Sequence, residues 1–144
     1  MEWNIRGGVV EDAPALTKLN REELGYNYPE VKTREHLAAL LQDPSHKILV
    51  AETGEQVVGY LHLERYDLLY ADPMVNVMGI AVSSACRRQG VGSALLAAGE
   101  EWARSMGAVA VRLVSGESRK GAHAFYQSLG YRGNKLQRNF KKPV

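Results

Sequence analysis

Residues suited to chemistry are concentrated in one glycine-rich segment, which reads Arg87-Arg88-Gln89-Gly90-Val91-Gly92. The segment stands between a mostly apolar stretch of strand length, residues 74–82, and a stretch with helical periodicity. The N–H groups at the start of a helix carry partial positive charge and attract anions. Gly90 and Gly92 can take positive φ and admit a ligand close to the backbone, while the two arginines add mobile charge. The pattern favours a phosphate or pyrophosphate site, although a plain tight turn would use the same glycines.

Two common phosphate-binding motifs do not fit this segment. A Rossmann fingerprint is disfavoured because Leu95 stands where the third glycine belongs and because the unit comes late in the chain. A Walker loop fails because no Gly-Lys-Ser/Thr follows the first glycine at the required spacing.

A second pattern follows later in the chain and reads Ala122-His123-Ala124-Phe125-Tyr126-Gln127-Ser128-Leu129-Gly130-Tyr131. Together the two segments resemble the GNAT N-acetyltransferase superfamily, which binds acetyl-coenzyme A. The central signature of that family has an Arg or Gln, a Gly, and then a Gly or Ala at the positions of Arg87, Gly90 and Gly92. The resemblance is to small bacterial-type members and spans essentially the whole chain.

The resemblance implies a place for the coenzyme. In this family coenzyme A lies where two central parallel strands splay apart, here residues 74–82 and 108–114. Backbone groups near Ile80 and Val82 would pair with the pantetheine arm, and N–H groups from Arg88 through Ser93 would hold the pyrophosphate. The implied coenzyme-binding residues are Ile80, Ala81, Val82, Arg87, Arg88, Gln89, Gly90, Val91, Gly92, Ser93, Ala122 and Tyr126.

Acyl transfer to an amine also needs a proton for the departing thiolate. Tyr126 matches the family tyrosine that often protonates the coenzyme A sulfur. A helical aromatic is more often part of a core. We favour the proton donor because an apolar stripe of Ala122, Phe125 and Leu129 leaves Tyr126 on an adjacent face.

The general base is less well defined by the sequence. Asn76 and Met78 stand where many family members place a carboxylate. Strand alternation puts Tyr60, His62 and Glu64 on one face of the preceding strand, so His62 or Glu64 could take a proton directly or through water. A solvated edge, a cross-strand pair and a water relay without a dedicated base are equally open.

The other histidines and the cysteine are given no chemical role. His123 is interpreted as a packing or coenzyme contact, and His36 and His46 as surface residues. The spacing of the histidines defines no metal site, so no metal is expected. Cys86, the single cysteine, rules out an intrachain disulfide and is interpreted as a spectator thiol, which is typical of a cytoplasmic protein.

Length and composition indicate how these residues are supported. The chain of 144 residues is 45% hydrophobic and 24% charged, which is typical of one self-sufficient folded domain over residues 1–144. A net charge of +2 argues for neither a nucleic-acid nor a membrane partner. The start of the chain lacks the features of a signal peptide, and no stretch is apolar enough to span a membrane.

Periodicity and turn residues predict an α/β fold, a mixed sheet with antiparallel and parallel pairs and helices on its faces. The helix nearest the amino end should be capped by Asp12 and end at Gly25, and the next should be capped by Thr33. Residues 74–82 should be buried on both faces at the sheet centre. The predicted strands are residues 3–6, 47–52, 57–65, 74–82, 108–114 and 131–140, and the third and fourth helices cover residues 91–107 and 118–129.

The expected function is N-acetyltransfer from acetyl-coenzyme A to a primary amine of a small molecule or a peptide, by direct attack in a ternary complex. A homodimer is possible, since family members are often dimers. One alternative is a non-catalytic acyl-coenzyme A sensor or interaction module. Another is nucleic-acid binding through the basic tail, which consists of Arg132, Lys135, Arg138, Lys141 and Lys142. The acceptor end is expected to be lined by Glu22, Glu23, Tyr26, Tyr28 and residues 66–72.

Overall fold

The computed structural model describes residues 2–144 and divides into two compact units, one ending at Leu113 and the other beginning at Val114. The first unit contains three α-helices, two short 3₁₀ helices (Val10–Asp12 and Ser84–Cys86) and all five strands found among the described residues. Its α-helices are α1 (Ala13–Leu24), α2 (Glu30–Leu41) and α3 (Val91–Ser105). Its strands are β1 (Asn4–Gly7), β2 (His46–Thr53), β3 (Gln56–Leu68), β4 (Ala71–Val82) and β5 (Val111–Arg112).

The strands form one mixed sheet in the order β1-β2-β3-β4-β5. Three pairs are antiparallel, and only the pair of β4 with β5 is parallel. Strands β2 and β3 are joined by the predicted tight turn at Gly54 and Glu55, where Gly54 takes a φ of 59°. The mixed sheet with helices on its faces is therefore confirmed.

Strand alternation divides the sheet residues between two layers of helices. Tyr60 and Val50 face α1 and α2, and they belong to a buried cluster with Leu16, Leu19 and Leu37. The opposite face of β3 lies against α3. A Cβ added at Gly99 of that helix would come within 2.7 Å of Leu61 and 2.9 Å of Leu63, so helix and sheet approach each other as closely as a glycine permits.

Helix α1 begins and ends where the sequence predicts, but Asp12 does not cap it as predicted. Its side chain makes no capping bond to α1. Both of its carboxylate oxygens accept from the guanidinium of Arg6, each over 2.9 Å, and Oδ2 also accepts from the N–H of Val9. These bonds hold the pKa of Asp12 below its usual value, mainly through Arg6. The carboxylate ties β1 to the start of α1 because an ion pair outcompetes the cap.

Helix α2 starts earlier than predicted. It begins at Glu30 after Pro29, whose φ of −62° and ψ of 139° direct the chain into the helix. Thr33 therefore lies inside α2 rather than capping it, and its hydroxyl donates to the carbonyl of Pro29 over 3.2 Å.

Two strand predictions in the first unit are wrong in extent. Strand β4 begins at Ala71 and lies next to the central strand β3, so it is not itself central. It buries only Val75 and Ala81, and its other residues are exposed or half-buried, so the expected burial on both faces is not found. The stretch 108–114 forms only the two-residue strand β5, because β4 and β5 are paired only at Val75 and Asn76.

The second unit contains α4 (Lys120–Ser128), slightly shorter than predicted, followed by Gly130 with the expected left-handed φ of 94°. The predicted strand 131–140 is absent, since residues 131–144 form no helix or strand. Residues 132–144 are all exposed, so their alternating pattern has no core to face.

Candidate active site

The glycine-rich segment leads into the N-terminus of α3, as predicted. Gly90 takes a left-handed φ of 83°, and the first helical hydrogen bond runs from the N–H of Ala94 to its carbonyl over 2.9 Å. The N–H groups of Val91, Gly92 and Ser93 therefore have no helical acceptor. Gly92 lies within α3 and is absent from the glycines with positive φ, so only half of the glycine prediction is correct. Three free donors at a helix start can bind an anion.

The arginines before α3 are placed differently from each other. Arg88 is the only non-glycine residue of the described chain with positive φ, at 62°. Arg87 is exposed, and its Nη2 lies 3.4 Å from Glu23 Oε1. The other oxygen of Glu23 accepts from the N–H of Ser84 over 3.0 Å. Glu23 thus holds the entrance loop of α3 to α1 instead of lining an acceptor pocket.

Strand β4 is interrupted by a bulge at Met78. His62 of β3 pairs with Gly79, whereas Leu63 pairs with Val77, which leaves Met78 as an extra residue. Beyond Asn76 no strand of the first unit pairs with the other edge of β4. Residues 77–82, including the predicted Ile80, Ala81 and Val82, therefore form an open edge with unpaired backbone groups. An extended ligand can add to such an edge as a strand would.

A pocket of about 190 Å³ lies between the sheet and the pair of helices α1 and α2. It is lined by Leu16, Asn20, Tyr28, Thr33, His36, Leu37, Leu40, Ile48, Tyr60 and His62. Among these described lining residues there is no carboxylate, lysine or arginine. Tyr28 is the one predicted acceptor residue that reaches this pocket, where its hydroxyl lies 3.2 Å from His36 Nε2.

Tyr60 forms part of the pocket wall and is fixed on both sides. Its hydroxyl donates to Asn20 Oδ1 over 2.5 Å. A Cβ at Gly79 would lie 3.1 Å from the same hydroxyl, so the glycine leaves room for the phenol. Burial raises the pKa of Tyr60 to about 12, with the bond to Asn20 opposing that shift. The phenol therefore stays protonated as a hydrogen-bond donor.

His62 is not an isolated histidine. Its Nε2 lies 2.9 Å from Nδ1 of His46, and Nε2 of His46 lies 3.4 Å from Glu64 Oε2 and 3.8 Å from Asp43 Oδ2. Burial, with a smaller contribution from His46, lowers the pKa of His62 to about 4. The prediction that His46 is a surface residue is wrong, because only 13% of its side chain is exposed.

Tyr126 belongs to α4 in the second unit. It is the buried residue of that helix, so the predicted stripe of Ala122, Phe125 and Leu129 is not the better covered face. Its ring contacts those of Phe125 and Tyr131, with centroids 5.3 and 6.2 Å apart. Burial raises the pKa of Tyr126, against an opposing effect of Arg119.

Comparison with known proteins decides the family. Residues 13–131 match the family described as the acetyltransferase (GNAT) family. The chain belongs to this family. It is 32% identical to aminoalkylphosphonate N-acetyltransferase from Salmonella typhimurium over 89% of this chain and 84% of that protein. It is also 30% identical to N-alpha-acetyltransferase from Sulfurisphaera tokodaii, over 96% of this chain and 86% of that protein.

Among solved structures, AAC(6')-Iy in complex with the bisubstrate analog CoA-S-monomethyl-acetylneamine has a TM-score of 0.88. That match has 19% identity and covers 100% of both chains, so it shows a shared fold. The predicted GNAT fold is thus confirmed. The family match and the two relatives confirm that the chain is an acetyl-coenzyme A-dependent N-acetyltransferase.

The structure brings together some of the predicted site residues of this acetyltransferase. Those from Arg87 to Ser93 form the entrance and first turn of α3, and Ile80 to Val82 form the open edge of β4. His62 and Glu64 share one face of β3 and are linked through His46. Ala122 and Tyr126 lie one helical turn apart on α4 of the second unit.

The structure also places the cysteine and the histidine of α4. Cys86 is a buried free thiol, and His123 Nε2 lies 2.8 Å from the carbonyl of Gly116. No group of three or more His, Cys, Asp or Glu residues in the described part of this acetyltransferase could hold a metal ion. No helix within residues 2–144 is long and apolar enough to cross a membrane.

Proposed function

We propose that this acetyltransferase acetylates the amine of a small molecule that binds in the pocket between the sheet and α1 and α2, by direct attack on acetyl-coenzyme A. The observation that carries the proposal is His62, a titratable group in the wall of a pocket of about 190 Å³. One water takes up about 30 Å³ in the liquid, so the pocket suits a compact amine or the first residue of a peptide.

The coenzyme is proposed to bind along the open edge of β4 and at the start of α3. The free N–H groups of Val91, Gly92 and Ser93 suit a pyrophosphate, and exposed Arg87 and Arg88 add positive charge. The unpaired backbone near Ile80 and Val82 suits the amide-bearing pantetheine arm. Acetyl-coenzyme A supplies the acetyl group as a thioester, and no metal is part of the proposal.

The pocket chemistry suits an amine that attacks in its neutral form. Its lining residues carry no fixed charge to hold an ammonium ion. His62 is unprotonated at neutral pH because its pKa is depressed to about 4, so it is available to accept a proton from the attacking amine. Glu64 is the second candidate base, and it pairs across the strands with Asn76.

Tyr126 is proposed as the acid that protonates the coenzyme A thiolate. Its raised pKa keeps the phenol protonated at neutral pH. With Tyr126→Phe we expect kcat to fall about 100-fold, in the range of general acid catalysis, with the KM for acetyl-coenzyme A unchanged. Tyr70→Phe is the matched control, since Tyr70 is 83% exposed.

The test is release of thiol from acetyl-coenzyme A in the presence of single amines. Because one relative acts on aminoalkylphosphonates and another is an N-alpha-acetyltransferase, the panel contains 2-aminoethylphosphonate, a short peptide with a free N-terminus and an aminoglycoside. We expect turnover with 2-aminoethylphosphonate or with the peptide, and we expect His62→Gln to abolish that turnover. Absence of turnover with every amine, at concentrations where acetyl-coenzyme A binds, would contradict the proposal.

We also propose that the enzyme acts in the cytoplasm. The support is Cys86, the single cysteine, which is a free thiol buried in the first unit. Fractionation of cells that express a tagged full chain tests this, and recovery outside the cytoplasmic fraction would contradict it.

A further inference from the structure

Two imidazoles and two carboxylates form a line that runs from the pocket wall to the surface of the first unit. His62 lines the pocket, His46 follows 2.9 Å away, and Glu64 and Asp43 flank the far nitrogen of His46. Exposure rises along this line: the His46 side chain is 13% exposed, Glu64 38% and Asp43 47%.

The direction of the hydrogen bond between the two rings follows from the charges at the far end of the line. A carboxylate only accepts hydrogen bonds, so the nitrogen of His46 that faces Glu64 and Asp43, Nε2, is the favoured place for its proton. The Nδ1 of neutral His46 is then a bare acceptor, and the proton between the two rings must belong to His62 Nε2. Nδ1 of His62, which has no hydrogen-bond partner within residues 2–144, is left with a free lone pair.

We propose, on the basis of the proposed function, that His46 is a positioning residue that holds His62 in the tautomer with a free Nδ1 and relays the amine proton toward Glu64 and Asp43. In this step an N–H bond of the attacking amine breaks and one forms at His62 Nδ1. The N–H bond at His62 Nε2 breaks and one forms at His46 Nδ1. The charge then rests on His46, beside two carboxylates, and His62 is neutral again.

The relay resolves a difficulty in the proposed function. A lone imidazole with a pKa near 4 is a weak base, because burial opposes its charged form. With Nδ1 of His46 and Nε2 of His62 only 2.9 Å apart, the two rings cannot both be charged without strong repulsion, so the pair takes up one additional proton rather than two. His46 is the better place for it, because its outer nitrogen faces Glu64 and Asp43. The titratable groups that surround His62 are His46, Tyr60, Glu64, His36, Tyr28 and Asp43.

The decisive experiment is nitrogen-15 NMR of the histidine rings in the full chain without ligand. At neutral pH we expect His62 to carry its proton on Nε2 with Nδ1 bare, and His46 likewise to carry it on Nε2. On acidification, the first ring of the pair to become doubly protonated should be His46. A His62 proton on Nδ1 in the neutral protein, or charging of His62 before His46, would overturn the proposal.

Two variants separate positioning from proton relay. In His46→Asn, the side-chain carbonyl keeps a hydrogen-bond acceptor near the position of Nδ1, so the His62 tautomer should persist. The amide cannot carry the positive charge of the relayed proton. His46→Phe removes both functions, and the tautomer preference should be lost. With 2-aminoethylphosphonate as the probe, both variants should lower kcat at least about tenfold and displace the acidic limb of the pH profile, with the KM for acetyl-coenzyme A unchanged.

An unchanged kcat and pH profile in both variants would overturn the relay. Different results would contradict the proposed function and the relay. If no amine is acetylated, the proposed function fails, whereas the tautomer of His62 and its dependence on His46 are still decided by the spectra alone.

Discussion

The hydroxyl of Tyr60 donates to Asn20 Oδ1 and so joins the central strand of the sheet to α1, across the wall of the pocket. The bond is partly buried and connects residues that are distant in sequence. It fixes the ring of Tyr60 beside His62 on the same face of β3. The shape of the pocket therefore depends on a bond between a strand and a helix that packing alone would not specify.

Removal of this hydroxyl should destabilise the protein without emptying the core. In Tyr60→Phe the ring remains and Asn20 loses its donor, so we expect a loss of about 1–2 kcal/mol in the free energy of unfolding. Urea denaturation followed by circular dichroism measures it. Tyr66→Phe is the control, because its ring lies over Arg112 at 4.4 Å and phenylalanine keeps that contact. Equal losses in the two variants would show that the bond to Asn20 contributes nothing specific.

The contact between α3 and the sheet should not tolerate a methyl group. In Gly99→Ala the new Cβ would lie 2.7 Å from Leu61 Cδ2 and 2.9 Å from Leu63 Cδ1. Overpacking of this kind costs about 1–3 kcal/mol. Gly121→Ala in α4 is the matched control, since no atom lies within 4 Å of its added Cβ, and it should be neutral or stabilising. Thermal melting compares the two, and a Gly99→Ala protein as stable as the control would contradict the close approach.

Acid should weaken the fold through His62. Its pKa is about 4 in the folded protein against the usual 6.5, so between these values the unfolded chain binds the extra proton. Stability is therefore complete above about pH 6.5 and falls as the pH is lowered toward 4, by about 1–2 kcal/mol after solvent screening of the partly exposed ring. Chemical denaturation at several pH values measures the loss. His62→Gln should flatten this part of the curve, whereas a variant of the exposed His36, His36→Gln, should leave it as in the parent.

The anion site at α3 can be tested without harm to the helix. An aspartate in the first turn interacts favourably with the helix dipole but repels a pyrophosphate. Gly92→Asp should therefore remain folded and bind coenzyme A at least about tenfold more weakly, a difference of about 1.4 kcal/mol by calorimetry. Ala97→Asp places the same charge on an exposed position further along α3 and should bind normally. Wild-type affinity in Gly92→Asp would remove the pyrophosphate from this helix end.

The sequence predicts best those structural features that depend on residues close together in the chain. The limits of α1 follow from Pro14 and Gly25, and the anion site follows from glycines and a helix start, which are local signals. The open edge of β4 is not local, because it depends on how few residues β5 contributes. The chain after Gly130 has strand-like alternation, but its residues 132–144 are exposed, so no tertiary contact selects a strand.

The placement of His46 beside His62 does not follow from strand alternation, because it depends on the register of β2 against β3. Counted from the turn, Thr53 pairs with Gln56 and Glu52 with Val57, a register that would place His46 opposite Leu63 on the wrong face. A bulge makes Ala51 pair with Gly59, and this one-residue shift brings His46 opposite Glu64 on the face of His62. No turn residue in the sequence indicates this bulge. Alternation therefore predicts correctly that His62 and Glu64 share a face, but it cannot predict that His46 lies on that face as well.

The bulge at Met78 and the short β5 leave the outer edge of residues 77–82 without a partner strand in the first unit. Backbone amides on the outer side of residues 77–82 have no strand of the first unit to protect them, so they should exchange their hydrogens with heavy water faster than the inner amides of the same strand. A bound cosubstrate that completes the ladder would slow that exchange. Deuterium uptake at these few amides should therefore report how much of the protein has cosubstrate bound. The measurement needs no acceptor amine.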